Sequence, residues 1–423
     1  MAELTGGAIS ARLQVSSRAV FGCWIVPGSN VELTLSQRVG RIKPSPTLAV
    51  TAKAAELKAQ GIDVMSLGAG EPDFDTPAHI KEAAHKAIRD GFTKYTAVGG
   101  TPGLKKAIVD KMKRDNALDY KPNQILVSNG GKQSCYNLCQ ALLNDGDESI
   151  IPAPYWVSYP DMVLLAGGTP VFIPTTAANR FKITPEQLER AITPHTRLFW
   201  INSPSNPSGM AYGKAELAAL GAVLRKHPQV LIATDDMYEK ILWTGEPFAN
   251  LINACPDLYE RTVVVHAVSK TYSMTGWRIG WACGPARLIT AMADIQSQST
   301  SNPNSIAQVA AEAALNGDQA CVAEMVRAFK GRHDRLVAAL NTIPGVQCQP
   351  GDGTFYAFPG FHGLMQKLGC GDDLQLADLL LQKARVAVVP GSAFGAPGCM
   401  RLSFATSDKV LAESVARIKA IAS

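Results

Sequence analysis

Short apolar runs alternate with helical patterns through the middle of the chain, between residues 125 and 265. Runs this apolar are typical of strands buried on both faces, and helices between them connect parallel strands. The pattern therefore predicts a mostly parallel α/β sheet. Its expected strands are Ile125–Val127, Ser149–Ile151, Thr169–Ile173, Leu198–Ile201, Val230–Ala233 and Thr262–Val265.

Helical patterns dominate both sides of this region. Thr51–Gln60 and Pro77–Asp90 read as helices, each followed by a glycine, and Ile62–Leu67 between them reads as a short strand. After about residue 310 long helical patterns return, with small strand-rich pieces at Thr354–Phe358 and Val386–Val389. We therefore expect an unpatterned extension over residues 1–31, a segment over 32–75 that packs with a small domain, a large domain over 76–315, and the small C-terminal domain over 316–423.

Composition narrows the class of protein. The 423 residues are 46% hydrophobic and 18% charged, which is typical of a globular chain with a large core. The net charge of +5 is scattered, so we expect no nucleic-acid partner, and no apolar run reaches membrane-spanning length. Nine cysteines without a Cys-x-x-Cys pair indicate reduced thiols, a cytoplasmic protein and no metal site.

The first 31 residues allow three interpretations. Arg12, Arg18 and several serines would suit an organelle transit peptide, a genuine extension is the second interpretation, and an upstream start codon assigned in error is the third. We favour the last, because the segment has no clear helical periodicity and patterned sequence begins near Leu33.

Polar residues follow four of the predicted strands. In an open parallel sheet, ligands bind at the carboxyl ends of the strands, so these residues should lie together. A Gly-Gly turn at the start of a helix exposes backbone N–H groups to an anion. The four strand ends carry Gly130-Gly131-Lys132, Asn202 to Asn206, Asp235 to Tyr238, and Ser269-Lys270 with Arg278.

Each of these features alone is ordinary, but the combination indicates one chemistry. A lysine that forms an imine must lose its proton near neutral pH. A carboxylate that keeps a pyridine nitrogen protonated makes the ring an electron sink. An amide and a phenol can hydrogen-bond a phenolic oxygen, while arginine and helix N–H groups hold a phosphate. The set therefore favours pyridoxal 5′-phosphate as cofactor.

The stretch from Ser269 to Gly280 resembles the cofactor-lysine signature of class I aminotransferases, in the fold-type-I pyridoxal-phosphate superfamily. The resemblance covers about residues 33–423. It implies a large domain with a mostly parallel seven-stranded sheet flanked by helices, and a smaller α/β domain. Other landmarks follow in the family's order: Gly70-Glu-Pro-Asp-Phe, Tyr95, Pro154-Tyr-Trp156, Asn206-Pro-Ser-Gly, Asp235 and Arg401-Leu-Ser-Phe.

The resemblance also implies roles for individual residues toward the cofactor. Lys270 would be the Schiff-base lysine and the general acid/base, and Asp235 would pair with the pyridinium nitrogen. A homodimer with shared active sites follows from Tyr95, which would reach the cofactor phosphate of the neighbouring subunit. The remaining cofactor contacts would be Asn206 and Tyr238 at the phenolic oxygen, Trp156 on the ring, and Gly131, Lys132 and Arg278 at the phosphate.

Toward the substrate, the resemblance assigns the α-carboxylate to Arg401 and to the backbone of Gly70, with Trp156 and Asn206 beside it. The most similar subgroup is the bacterial-type aspartate/prephenate aminotransferases. There a lysine in a Lys-Pro-Ser motif reads the distal carboxylate, which here is Lys43, with Thr47 and Lys132 as further specificity positions. The implied reaction moves an amino group between aspartate or glutamate and 2-oxoglutarate or oxaloacetate, with prephenate as a further candidate acceptor.

Other functions stay open at this point. The same cofactor serves aminotransferases for aromatic amino acids, kynurenine or methionine, and related lyases. A transcriptional regulator with an aminotransferase-like domain is a different class, but it would need a DNA-binding module ahead of the fold. Only about thirty unpatterned, non-basic residues precede it here.

Overall fold

The computed structural model describes residues 33–44 and 46–423. The expectations for residues 1–31 therefore lie outside the described residues. Arg41–Ser423 forms one compact unit. The predicted division of the chain at residues 75/76 and 315/316 stays a prediction.

The described residues form twelve strands. These are β1 (Met65–Ser66), β2 (Ile125–Ser128), β3 (Glu148–Ala153), β4 (Thr169–Pro174), β5 (Thr196–Asn202), β6 (Leu231–Asp235), β7 (Thr262–Ala267), β8 (Gly280–Cys283), β9 (Tyr356–Ala357), β10 (Val386–Ala387), β11 (Val389–Pro390) and β12 (Met400–Ser403).

Seven of these strands build one sheet in the order β2-β8-β7-β6-β5-β3-β4. Only β8 runs antiparallel to its neighbours, which confirms the predicted mostly parallel seven-stranded sheet. All six residues of β7 are buried, as a strand covered by helices on both faces requires. The hydrophobic pattern did not single out β8, because its four residues, Gly-Trp-Ala-Cys, include no β-branched residue and only one large side chain.

Two smaller sheets join distant parts of the chain. Strand β1 pairs in parallel with β10, so residues near Met65 lie beside Val386, and β11-β12-β9 form an antiparallel sheet. The predicted strand Ile62–Leu67 was too long, since only the two residues that pair with β10 are strand. The two predicted C-terminal strands are also shorter in the structure: Thr354–Phe358 contains only β9, and Val386–Val389 is divided between β10 and β11.

The described residues contain sixteen α-helices. The helix predicted from Thr51 begins earlier, at Pro46, because proline suits the first turn of a helix. The helices are α1 (Gln37–Arg41), α2 (Pro46–Ala59), α3 (Ala78–Arg89), α4 (Pro102–Asn116), α5 (Gly131–Leu142), α6 (Ser158–Leu165), α7 (Pro185–Ala191), α8 (Lys214–Arg225), α9 (Leu251–Ala254), α10 (Val268–Thr271), α11 (Ala286–Ser297), α12 (Ser305–Asn316), α13 (Ala320–Leu340), α14 (His362–Leu368), α15 (Asp373–Leu379) and α16 (Asp408–Ala422).

Within the described ranges, no helix is long and apolar enough to cross a membrane. The eight cysteines there carry free thiols, and His, Cys, Asp and Glu form no cluster of three suited to a metal ion in this part of the chain. A cytoplasmic location stays a prediction.

Candidate active site

A cavity of about 330 Å³ opens at the carboxyl edge of the large sheet. It lies where β2, β5, β6 and β7 end, which is the edge that the sequence predicted. Eleven of the predicted site residues line it: Thr47, Gly70, Gly131, Lys132, Trp156, Asn206, Asp235, Tyr238, Lys270, Arg278 and Arg401. Lys43 and Tyr95 do not line it.

Lys270 enters the cavity from α10, directly after β7. Its ammonium donates to the carbonyl of Gly70, which links the sheet edge to the loop after β1. The pKa of Lys270 is lowered to about 8, first by burial and then by the charges of Arg401 and Arg278, whereas Glu71 and Asp235 oppose the shift. A larger fraction of neutral, nucleophilic amine is therefore present near neutral pH than at an exposed lysine.

Asp235 closes β6 and is buried, with 5% of its surface exposed. Burial raises the pKa of Asp235 to about 6, although hydrogen bonds from Tyr159 and the amide of Met237 oppose the rise. Tyr159 Oη donates to Asp235 Oδ2 at 2.5 Å, while its ring stacks on Trp200 at 4.5 Å between centroids. A buried carboxylate of this kind is stabilised by a cation placed against it.

Sequence reasoning missed Tyr159. The only signal was its position three residues after Trp156, and in the structure the two rings meet edge to face at 5.2 Å. Two aromatic residues at this spacing are common around the start of a helix, so the sequence alone did not distinguish this tyrosine of α6 from packing residues.

Arg401 projects from β12 and is 2% exposed. It donates from Nη1 to Asn206 Oδ1 at 3.1 Å and from Nη2 to the carbonyl of Gly68 at 2.8 Å. Its Nε has no partner among the described residues, and it forms no salt bridge with a carboxylate in that part of the chain. Burial lowers the pKa of Arg401, so this guanidinium is a desolvated cation that can bind an incoming carboxylate.

Asn206 and Asn202 hold the end of β5 against the end of β6. Asn202 Nδ2 donates to the carbonyl of Asp235 at 2.9 Å, and Asn202 Oδ1 accepts from the amide of Asn206 at 2.8 Å. Because Asn206 Oδ1 accepts from Arg401, its Nδ2 stays available as a donor toward the cavity.

The turn before α5 forms a close cradle for an anion. Gly130 has φ +82°, and a Cβ there would lie 2.4 Å from Arg278 Nη2. A Cβ on Gly280 of β8 would lie 2.3 Å from the amide of Gly131. The first N–H groups of a helix have no acceptor within the helix. Arg278 and the start of α5 therefore combine a guanidinium with free amides, an arrangement that suits phosphate.

Tyr356 is a second residue that sequence reasoning missed. It lies on β9, lines the cavity, and is 1% exposed. Its hydroxyl is 3.1 Å from that of Tyr238, and the Arg401 guanidinium lies 4.5 Å from its ring centroid. The sequence placed Tyr356 in a predicted strand, but no pattern along the chain indicates which side chains of so short a strand face the site.

Of the three residues predicted to bind the distal carboxylate, Lys132 and Thr47 line the cavity and Lys43 does not. Lys132 Nζ lies 5.2 Å from the centroid of the Trp156 ring, and burial followed by the charge of Arg278 lowers the pKa of Lys132. Thr47, on α2, has a buried Oγ1 without a partner among the described residues. Lys43 is exposed. Burial raises the pKa of Asp161, and a hydrogen bond from the Lys43 amide together with the Lys43 charge opposes that rise. The role of Lys43 in substrate binding stays a prediction.

Tyr95 is 94% exposed, in the loop between α3 and α4. Ile88 and Phe92, just before it, are also exposed large hydrophobic residues. Large apolar side chains exposed so near one another in sequence are candidates for a surface that binds another protein.

Comparisons with known proteins identify the family of the chain. The family model for aminotransferase class I and II matches residues 62–418. The chain is similar to the aspartate/prephenate aminotransferase of Nitrosomonas europaea, with 62% identity over 397 residues that cover 92% of this chain and 100% of the relative. It is 51% identical over 386 residues to the aspartate aminotransferase of Geobacillus stearothermophilus, covering 91% and 98%.

Solved structures show the same similarity. The aspartate aminotransferase of Rhizobium meliloti matches with a TM-score of 0.88 and 47% identity, over 92% of this chain and 99% of that chain. The aspartate aminotransferase of Thermus thermophilus, solved with maleate, matches with a TM-score of 0.87 and 43% identity, over 92% and 100%.

Proposed function

The chain belongs to the class I and II aminotransferases, and we propose that it transfers amino groups between acidic L-amino acids and 2-oxo acids with pyridoxal 5′-phosphate as cofactor. Aspartate and glutamate are the proposed donors, oxaloacetate and 2-oxoglutarate the acceptors, and prephenate a further acceptor. One observation carries the proposal: a single cavity gathers Lys270 with its lowered pKa, the buried Asp235, and the buried Arg401, which has no carboxylate partner among the described residues.

The donor set of the cavity fits pyridoxal phosphate. The glycine cradle with Arg278 would hold the phosphate, because a Cβ on Gly130 would block the approach that this cradle provides. Asp235 would face the pyridine nitrogen, and its raised pKa would fall when a protonated nitrogen lies against it. Trp156 would cover the ring, and Lys270 would bind the aldehyde carbon covalently.

The cofactor, when bound, supplies an electron sink for the Cα of the amino acid. The residues of the chain do the rest. Lys270 Nζ, with its lowered pKa, would accept and return the proton that moves during the reaction. Asn206 Nδ2 and Tyr238 Oη would donate to the phenolic oxygen and so hold the cofactor in one orientation. Arg401 would bind the α-carboxylate of the substrate as a bidentate partner.

Acidic specificity requires a second cation at the other end of the substrate. Lys132 lines the cavity, and so does Thr47, whose hydroxyl has no hydrogen-bond partner among the described residues and would donate toward the substrate. Lys43, which does not line the cavity, would contribute by turning its side chain toward it, because a lysine carries a point charge on a flexible stem. Maleate, the ligand of the Thermus thermophilus structure, is a dicarboxylate, which supports a cavity built for two carboxylates.

A panel of substrates tests the proposal on purified wild-type protein. We expect kcat/KM for aspartate and glutamate to exceed that for alanine, leucine and phenylalanine by roughly tenfold or more, since an apolar side chain lacks the charge-assisted contact that the distal carboxylate makes with the exposed lysines Lys43 and Lys132. Prephenate with glutamate as donor is the third arm. Higher activity with an apolar or aromatic donor would overturn the acidic assignment while leaving the family unchanged.

We further propose that the active form is a homodimer with shared sites, in which Tyr95 of each subunit reaches the cofactor phosphate of the other. The 94% exposure of Tyr95 supports this, because a tyrosine that the described residues leave almost fully exposed is available to a second copy. A subunit interface over Ile88 and Phe92 would also cover their exposed apolar surface.

Subunit complementation tests the shared site directly. Tyr95→Ala and Lys270→Ala proteins are unfolded together, refolded together, and compared with each variant alone. Random reassociation makes half of the dimers mixed, and each mixed dimer has one intact site of two, so activity should rise to roughly a quarter of wild type. No gain over the sum of the separate variants would contradict shared sites.

A further inference from the structure

Tyr238 and Tyr356 form an isolated pair of buried phenols at the wall of the cavity. Their hydroxyl oxygens lie 3.1 Å apart, and Tyr238 and Tyr356 are 3% and 1% exposed. Among the described residues, neither hydroxyl has another hydrogen-bond partner. The described residues therefore provide each phenol with one hydrogen-bond partner. The direction of that hydrogen bond determines whether Tyr238 presents a proton or a lone pair to the cavity.

The surroundings of Tyr356 favour it as the donor of the pair. Its ring lies beneath the Arg401 guanidinium, which has N–H donors and no acceptor. Its oxygen packs near the Cα of Gly70, where an added Cβ would lie 3.4 Å from it, and on this side no described residue accepts a hydrogen bond from the Tyr356 hydroxyl. The Tyr238 oxygen is thus the one acceptor that the described residues present to the Tyr356 hydroxyl.

We propose that Tyr356 is a positioning residue, which donates its hydroxyl proton to Tyr238 Oη and so turns the Tyr238 hydroxyl into a donor directed at the cavity. The inference rests on the proposed function, in which Tyr238 donates to the phenolic oxygen of the cofactor. A hydroxyl has one proton. If Tyr238 gave its proton to Tyr356, it would meet that oxygen with lone pairs only.

Two physical effects follow from a chain in which Tyr356 donates to Tyr238. The Tyr238 hydroxyl is held in one rotation, and its O–H becomes a stronger donor because consecutive hydrogen bonds polarise one another by about 10–30%. A stronger donor stabilises negative charge on the phenolic oxygen of the cofactor. It therefore disfavours the protonated form of the lysine-bound cofactor.

The Tyr356→Phe variant tests this, because it removes one oxygen and keeps the ring beneath Arg401. Absorbance of the bound cofactor is titrated with pH in wild type and variant. We expect the midpoint to rise by several tenths of a pH unit in Tyr356→Phe. The dissociation constant of maleate, measured at a pH where both proteins are in one protonation state, should stay within about twofold, since the cation–π contact of Arg401 is kept.

Two further variants separate positioning from general structure. In a Tyr238→Phe background, Tyr356→Phe should shift the midpoint no further, because the effect passes through the Tyr238 hydroxyl. Tyr120→Phe is the matched control: it also removes a buried phenol oxygen, outside the cavity, and should leave the midpoint unchanged.

Each alternative result has a definite meaning. An unchanged midpoint in Tyr356→Phe overturns the inference, and so does an equal shift in the Tyr238→Phe background. Failure of Tyr356→Phe to fold also overturns it, because an oxygen with one contact would then be structural. If wild-type protein binds no pyridoxal phosphate at all, the proposed function falls with it, and this outcome is visible before any variant is made.

Discussion

The two ends of the cavity are held in different ways. At the end that would hold the cofactor and the α-carboxylate of the substrate, here called the cofactor end, Asp235, Asn206 and Arg401 each form hydrogen bonds to other parts of the chain, and all three are buried. At the distal end, the side chains of Lys43 and Lys132 form no hydrogen bond or salt bridge with any described residue. The chemistry is therefore built on a fixed frame. Recognition of the substrate side chain rests on residues that can change without disturbing it.

Lys270→Ala should have the largest effect of any change at the cofactor end. Turnover should fall below detection, and the absorbance of covalently bound cofactor should disappear, because the variant lacks the amine that would form this bond. The comparison variant is Lys105→Ala, which removes a partly buried lysine outside the cavity and should keep both properties. Cofactor trapped by borohydride on a different lysine would contradict the assignment of Lys270.

Tyr159→Phe should lower kcat/KM for every substrate by about tenfold to a hundredfold. The variant removes a hydrogen bond to the buried Asp235, and hydrogen bonds to charged groups contribute roughly 1.5–3 kcal/mol. The stacked ring is kept, so the melting temperature should change little. A loss confined to acidic substrates would place Tyr159 in recognition and would weaken the contrast between the two ends.

Lys43→Ala should act only on acidic substrates, with a smaller effect of roughly tenfold on kcat/KM for aspartate or prephenate. Its exposure to solvent screens the charge, which keeps the effect near the lower limit for a charged contact. Turnover of an apolar amino acid should stay nearly unchanged. Lys58→Ala, an exposed lysine at the end of α2, is the control. Equal losses for acidic and apolar substrates would mean that Lys43 is structural.

The smallest effect concerns pH and is specific to the cofactor end. Protein freed of cofactor should take up pyridoxal phosphate at a rate that rises with pH through a midpoint near 8, because only the neutral amine attacks and burial lowers the pKa of Lys270 to about 8. Above that midpoint the amine is neutral and the rate should level off. Stopped-flow absorbance measures the uptake, and a midpoint near that of an exposed lysine, about 10.4, would contradict the lowered pKa.

The sequence predicted some parts of the fold and site correctly and others not. Residues at strand ends, such as Asp235 and Lys270, were predicted together because parallel strands bring their carboxyl ends to one edge of the sheet. The six predicted strands in this region all exist, whereas β8 and the short strands near Met65 and Val386 were missed or misjudged. Two-residue strands exist only through pairing with distant residues, so no local pattern predicts their bounds.

What the sequence determined by itself was the order of buried strands and helices, and the residue types at the ends of those strands. Those are local properties, set by hydrophobic period and by turn chemistry. The tertiary structure alone decided that Tyr159 supports Asp235 and that Tyr356 meets Tyr238. These contacts join residues more than seventy positions apart, and side-chain direction across such a distance depends on how whole elements pack. The reactive groups could therefore be predicted from the sequence, whereas the side chains that orient them are determined by how the helices and strands pack.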